Sequence, residues 1–259
     1  MSKFSAEVEA AVAAARAAGS LLRERFGGPR QIRHKGATDL VTEMDQQAET
    51  LISRILQAAF PAYGLLAEEG GAQFGARATR WVVDPLDGTT NYAHGYPFFA
   101  VSIALEEAGQ VILGVVYNPI LDELFVAERG EGASLNGRPI HVSAAHELGQ
   151  SLLASGFPYT AWTNEANNGR EWNRLLKRVR SLRSDGSASL DLCHVAMGRL
   201  DGFWELNLNP WDMAAGALLI QEAGGRLTQV NGAPFELYGR TLLASNGHLH
   251  AGLLAALAG

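Results

Sequence analysis

The chain has 259 residues, 47% of them hydrophobic, and a formal net charge of −6 from 21 basic and 27 acidic side chains. That length and apolar content suffice for a substantial core, while the acidic balance argues against a basic surface for indiscriminate nucleic-acid binding. One cysteine, Cys193, excludes an intrachain disulfide and disfavours a thiolate metal cluster. No apolar stretch reaches the roughly 18 residues of a membrane span, and no basic segment precedes an apolar signal core, so a cytoplasmic protein is expected.

Residues 5–26 are rich in alanine and leucine, with Glu7, Glu9, Arg16, Arg23, Glu24 and Arg25 interspersed, which predicts an opening amphipathic helix. Residues 32–36 read equally as a short strand or a loop. A second helix is predicted from near Thr38 and Asp39, whose side chains suit capping. It continues through Val41, Met44, Ala48, Leu51, Ile52, Ile55 and Leu56 at helical spacing until Pro61, with Asp45 near its start. The apolar run 63–67 then closes on Glu68 and Glu69.

Residues 81–90 (WVVDPLDGTT) form an apolar, strand-like run that ends in two carboxylates around a proline. Pro85 fixes its own φ and disfavours the helical region for Asp84, so Asp84 and Asp87 leave the strand end in a rigid turn as two hard oxygen donors. Gly88, Thr89 and Thr90 supply a permissive glycine and hydroxyls at a short helix start, where free N–H groups favour an anion. Adjoining cation and phosphate sites are one reading; simple turn punctuation by Asp, Pro and Gly is the other.

From residue 98 the period changes, and the β-rich runs 98–105, 111–117 and 123–127 predict an antiparallel meander. Gly130 and Gly132 mark a turn and not a nucleotide loop, since Leu135 stands where that motif needs glycine, and Asn136-Gly137 reads as a hairpin tip. Residues 159–169 are polar enough for an exposed loop. The Arg174, Lys177, Arg178 and Arg180 cluster has helical spacing, so a solvated basic face is favoured over a phosphate or partner site. The remainder alternates helix-like and strand-like segments at 187–197, 202–206, 212–223, 226–230 and 241–244, a second α/β layer. Seven histidines lack an HExxH spacing, and His248 and His250 read as surface residues. With no repeat or low-complexity linker, one unit spanning 1–259 is expected, in halves of about 1–145 and 146–259.

Three segments carry a family resemblance: residues 81–94 (WVVDPLDGTTNYAH), the run from Trp211 and Asp212 to Gly224 and Gly225, and Gly186-Ser187-Ala188. Together they resemble the inositol monophosphatase family of magnesium-dependent, lithium-sensitive phosphatases, over about residues 35–246. The resemblance implies an α/β fold, a layered αβαβα sandwich with a large antiparallel sheet in the N-terminal half and a smaller mixed sheet in the C-terminal half. It also implies two or three Mg²⁺ ions per site. Glu68, Asp84 and the Leu86 carbonyl would hold one, and Asp84, Asp87 and Asp212 a second, with Asp84 bridging. Glu68, Thr89 and Asp45 are the expected catalytic residues, Asp45 standing behind the Thr89 hydroxyl that orients the attacking water. Gly88 and Thr89 amides would cradle phosphate, the loop Gly186-Ser187-Ala188 would lie against substrate, and Glu205, seven residues before Asp212, would accept hydrogen bonds from substrate hydroxyls.

Structural alternatives stand beside these. Glu69 could be the inward residue instead of Glu68, Asp212 only a helix N-cap, Asp45 an exposed first-turn acid, Ser187 a hydroxyl cap, and Glu205 a strand-edge acid near Trp204 and Trp211. Asp185 is expected to point away from phosphate or to engage Arg183. The leading function is magnesium-dependent hydrolysis of inositol 1-phosphate or a related small polyol or sugar phosphate. Alternatives on the same scaffold are fructose 1,6-bisphosphate, with Arg170, Arg174 and Lys177 as contributors to a second cationic pocket, histidinol phosphate, and phosphoadenosine phosphate, with Trp162 or Trp172 as a stacking surface. A different class is a regulatory binding protein retaining the phosphatase fold. A homodimer is expected by family analogy, without nucleic-acid or membrane partners.

Overall fold

The computed structural model describes residues 4–28, 32–34 and 40–258. The opening helix is α1 (Ser5–Arg25), and the undecided segment that follows contains β1 (Ile32–His34), paired antiparallel with β2 (Leu40–Thr42). Lys35, Gly36 and the expected caps Thr38 and Asp39 lie outside the described residues. The second helix, α2 (Glu43–Ala59), starts later than its periodicity suggests because Thr42 caps it. Thr42 Oγ1 accepts from the Met44 N–H at 3.1 Å, and Asp45 Oδ2 accepts from the Thr42 N–H at 2.8 Å.

Next come β3 (Gly64–Ala67), β4 (Gly71–Gln73), β5 (Thr79–Asp87), α3 (Thr89–His94), β6 (Ala100–Glu107), β7 (Gln110–Asn118), β8 (Glu123–Glu128), β9 (Gly132–Leu135) and β10 (Arg138–Pro139). Their strands form one sheet in the order β10-β9-β8-β7-β6-β5-β3-β4, antiparallel except for the parallel pair β3 and β5. Asn136 and Gly137 both adopt positive φ, 50° and 76°, at the tip between β9 and β10, as a tight hairpin demands. The second half contributes β11 (Leu152–Ser155), α4 (Gly169–Leu176), β12 (Ser181–Arg183), α5 (Ala188–Ala196), β13 (Gly202–Leu206), α6 (Pro210–Glu222), β14 (Arg226–Thr228), β15 (Thr241–Ser245) and α7 (His250–Ala258). Its mixed sheet runs β12-β11-β13-β15-β14, with β11 parallel to both neighbours.

The large sheet is covered on both faces, which is why its strands read as nearly continuous apolar runs instead of alternating ones. Trp81 and Val83 face α1 and α2, packed with Ala11, Ala14 and Ile52, while Val82 faces α5 and α6 among Leu190, Met213 and Leu218. α5 and α6 in turn meet the small sheet, whose far side packs Trp204, Leu153 and Leu243 against Leu175 of α4 and Leu253 of α7. The layers are therefore αβαβα. At the joint a Cβ on Gly114 of β7 would lie 2.8 Å from the Ala215 carbonyl oxygen and 2.9 Å from its Cα, so the α6 backbone rests directly on the sheet.

Two side chains differ from their surface or open reading. His250 is buried, its ring bonded to the Thr228 and Ser245 hydroxyls at 3.0 and 2.9 Å, and burial pulls its pKa down to about 4. Arg174 donates to the Leu257 carbonyl at 2.6 Å, closing the C-terminal end of α7 and not joining a uniform solvated face. Cys193 is buried in α5. Among the described residues no helix is long and apolar enough to cross a membrane.

Candidate active site

Asp84 and Asp87 do not follow the strand end; both lie within β5, and an irregularity makes them neighbours. Residues three apart on a regular strand point to opposite faces. Here Asp84 pairs with Ser102 and Asp87 with Ala100, so three steps on β5 match two on β6. The extra residue, beside a proline that cannot join the ladder, is a β-bulge, and it turns both carboxylates into one cleft. The sequence showed the proline; the register shift that uses it is set by the partner strand.

Because β3 runs parallel to β5, with Ala67 opposite Val83, the residue leaving β3 arrives beside Asp84. Glu68 is that residue. Its N–H donates to the Val83 carbonyl at 3.2 Å and it lines the cleft, whereas the Glu69 N–H is bound by the buried Glu49 at 2.8 Å and Glu69 is absent from the lining. Asp212 enters from the first turn of α6. The cap of that helix is Asn209, with Pro210 at its first position; Asp212 Oδ2 accepts from the Asn209 N–H at 2.7 Å, so the cap reading fits Asn209.

Asp87 is gripped by α5. Ser187 does not bond its own helix; its hydroxyl donates to Asp87 Oδ2 at 2.6 Å, and the Ser189 N–H reaches the same oxygen at 2.7 Å. The hydroxyl-cap alternative for Ser187 thus gives way to a capping carboxylate from β5, which suits the positive end of a helix. Behind the cleft, Asp45 is 1% exposed and far from a solvated first-turn acid. Its Oδ1 accepts from the Thr89 hydroxyl at 2.8 Å, while Oδ2 takes the Thr42 N–H and hydroxyl at 2.8 and 2.7 Å. The Thr89 hydroxyl also lies 3.0 Å from the Leu86 carbonyl.

Glu205 is not at a strand edge. β13 sits between β11 and β15, and Glu205 projects into the cleft with its carboxyl group against Gly156, where a Cβ would land on it. Burial and then the Asp87 charge raise its pKa to about 8, opposed by the Gly156 N–H. Leu86, Gly88, Gly186 and Ala188 complete the expected set around the same cleft. Gly88 holds φ 94°, a left-handed conformation that lets α3 begin immediately after the bulge.

The cleft has a volume of about 290 Å³, at the small end of ligand pockets. Among its described lining residues none is Lys, Arg or His. Burial, then Glu68, Asp87 and Asp212, push the Asp84 carboxyl well above its ordinary value; Asp212 is raised by burial and by Asp87, Glu68 and Glu205. Among the described residues no three acidic, His or Cys side chains already close into a cage around one point. Asp84, Asp87 and Asp212 each instead commit one oxygen to a protein N–H, the outer-shell tethering that orients carboxylate ligands.

Several residues here were not singled out from the sequence. Asn91 ties α3 to the facing loop by donating to the Asp185 and Phe98 carbonyls, each at 2.7 Å. Phe157 and Tyr159 line the cleft, while Trp162 is 76% exposed and Trp172 packs against Phe157 and Trp204, so neither expected stacking residue is at the site. Arg170, Arg174 and Lys177 also lie outside the lining. Asp185 is outside it too, its carboxyl raised by burial and drawn back by Arg183. Asp191 does line the cleft, and its signal was a lone acid between Leu190 and Leu192 in α5.

Comparison with known proteins decides what this assembly belongs to. The model of the inositol monophosphatase family matches residues 5–259. The chain belongs to that family. It is 46% identical to inositol monophosphatase 3 of Solanum lycopersicum, with 96% of each chain covered. Among solved structures it is similar to inositol monophosphatase from Anabaena, with TM-score 0.91, 40% identity and coverage of 99% of this chain and 97% of that one. It is also similar to the extragenic suppressor protein suhB of Bartonella henselae, with TM-score 0.92, 43% identity and 98% of both chains covered. As an inositol monophosphatase family member the chain is a phosphatase, a hydrolase, and its layered fold is the family's.

Proposed function

We propose that this phosphatase hydrolyses inositol 1-phosphate or a closely related small polyol phosphate, using Mg²⁺ held by the acidic cleft. One observation carries the reading: four carboxylates from the β3 end, the β5 bulge and the α6 start share a cleft with no basic side chain among its described lining residues. Such a set has the hard oxygen chemistry Mg²⁺ prefers, and its mutual repulsion is what a cation would offset. Glu68, Asp84 and the Leu86 carbonyl would hold one ion, and Asp84, Asp87 and Asp212 a second, within two or three per site. Bound Mg²⁺ supplies neutralisation of phosphate oxygens, activation of a water, and stabilisation of the leaving oxygen.

The chain's own groups then divide the remaining work. By donating its proton to Asp45 Oδ1, Thr89 leaves its oxygen lone pairs free to hold and orient a water. Asp45, kept in place by two bonds from Thr42, is the group that can take up that proton. Backbone N–H groups at Gly88 and Thr89 face the phosphate, and Gly186, Ser187 and Ala188 form the opposite wall. Glu205 accepts from the polyol hydroxyls. Homodimer formation and lithium sensitivity belong to the same reading and rest on the resemblance.

A second phosphate would meet Glu205 and find no cation among the described lining residues, which favours a monophosphate over fructose 1,6-bisphosphate or phosphoadenosine phosphate. Phosphate release from these three and from histidinol phosphate, with and without Mg²⁺, tests this. The expected result is Mg²⁺-dependent turnover with inositol 1-phosphate preferred over both bisphosphates by at least about tenfold, the size of one lost or mismatched polar contact. A bisphosphate as best substrate would overturn the assignment.

The Gly156 contact makes a second check. Gly156→Ala must move the Glu205 carboxyl group, so KM for inositol 1-phosphate is expected to rise about tenfold or more, as for a lost hydrogen bond to a charged group. Steady-state kinetics with unchanged KM would remove Glu205 from the substrate site.

A further inference from the structure

Asp191 stands one helical turn after Ser187 and on the same face of α5, directly beneath the substrate-facing loop. It lines the cleft yet is only 2% exposed. Its Oδ1 is shut off from solvent and has no hydrogen-bond partner among the described residues. Its neighbours in α5, Leu190, Leu192 and Cys193, are buried and apolar, so packing alone calls for no acid there. A buried acid held without a partner is costly to maintain, and since only its other oxygen is not sealed off, a donor in the cleft can reach the carboxyl only there. The nearby charges that act on it are themselves acids, Asp185, Glu205 and Asp87. None of these is cationic, and no described lining residue is Lys, Arg or His.

We propose that Asp191 is a second substrate-reading carboxyl beside Glu205, accepting a hydrogen bond from a donor, hydroxyl or ammonium, on the alcohol half of the monoester. The proposal rests on the phosphatase reading above, in which the four other carboxylates serve the phosphate end. Asp191 then explains why the alcohol end is acidic as well. A substrate rich in donors gives the buried carboxyl a partner at the oxygen that is not sealed off, and one without donors leaves it with none.

Three substrates separate the possibilities: inositol 1-phosphate, phosphoethanolamine as an amino-alcohol phosphate, and p-nitrophenyl phosphate, whose leaving group carries no donor. Asp191→Ala is expected to raise KM for the preferred donor-bearing substrate at least fivefold while kcat/KM for p-nitrophenyl phosphate stays within twofold. The near-isosteric Asp191→Asn, which keeps an acceptor but no charge, distinguishes the sources. It retains most activity on inositol 1-phosphate if the donor is a hydroxyl, and it abolishes a preference for phosphoethanolamine if the donor is an ammonium. Parallel loss on all three substrates by folded variants would make Asp191 structural and overturn the proposal, as would no change on any. Failure of the wild-type protein to release phosphate from any of the three substrates in Mg²⁺ would instead overturn the Mg²⁺-dependent monoesterase reading on which the proposal rests.

Discussion

Replacing Asp84 and Asp212 together by asparagine is expected to cut phosphate release by at least about three orders of magnitude, some 4 kcal/mol of transition-state stabilisation, with the fold retained. Both side chains meet the protein through a single accepted N–H, from Leu86 at 2.9 Å and from Asn209 at 2.7 Å. An asparagine carbonyl can accept the same bonds, so the bulge and the α6 start lose little. What disappears is charge. Each carboxylate is buried beside other acids, and burial is the largest influence on both. Removing two negative groups weakens any cation grip while relieving repulsion, so the metal-free variant is expected to melt no lower than the wild type. Phosphate release and thermal melts in chelator read the two effects separately. Turnover at the wild-type rate would sink the assignment of these residues.

Without divalent ions, stability is expected to fall as pH rises above neutrality, and Mg²⁺ is expected to restore it. The sign follows from proton binding. Asp84 and Asp212 are raised well above 3.8, and Glu205 to about 8, so the folded protein holds protons that the unfolded chain releases. Their contribution is complete below the unfolded carboxylate value and is lost as pH climbs through the raised folded values. His194 and His250 act oppositely, since both are lowered to about 4 from 6.5 and therefore gain stability for the fold as pH rises across that interval. Above pH 6.5 the histidines are silent, and the carboxyl effect dominates, joined toward pH 9 by the buried Cys193 thiol, which burial raises in the same direction. Saturation to about a hundred times Kd adds roughly 2.7 kcal/mol, or roughly 5–10 °C for a chain of this size. Melts from pH 7 to 9, with chelator and with Mg²⁺, check both trends. A melting temperature indifferent to Mg²⁺ at every pH would refute the cation site.

The large sheet was legible because its strands are buried on both sides, so the apolar runs at 98–105 and 111–117 had no competing helical period. Glu68, Asp84, Asp87 and Asp212 were legible as a group because each stands where an apolar run meets a turn or a helix start. Their convergence was implied only by the family resemblance, since it depends on the parallel pairing of β3 with β5 and on the one extra residue of β5 opposite β6. Thr42 displaced Thr38 and Asp39 as the cap of α2 because Asp45, three residues on, completes the reciprocal bond. The edge-acid alternative for Glu205 stood because strand order in the small sheet cannot be read from local spacing. The partners of Ser187, Gly156 and Asn91 are equally remote: Asp87, Glu205 and a loop on the opposite wall.

The seating of α6 on β7 at Gly114 has a consequence for how the working centre comes into being. A polypeptide still emerging from the ribosome can pair its first sheet, bulge included, and cover one face with α1 and α2, but the other face waits for α5 and α6 and the acid cluster has only three corners. The fourth arrives when α6 docks, in the same step that covers the second face of the sheet, so a copy shortened before α6 should be inert. Turnover is in that sense a report on finished assembly.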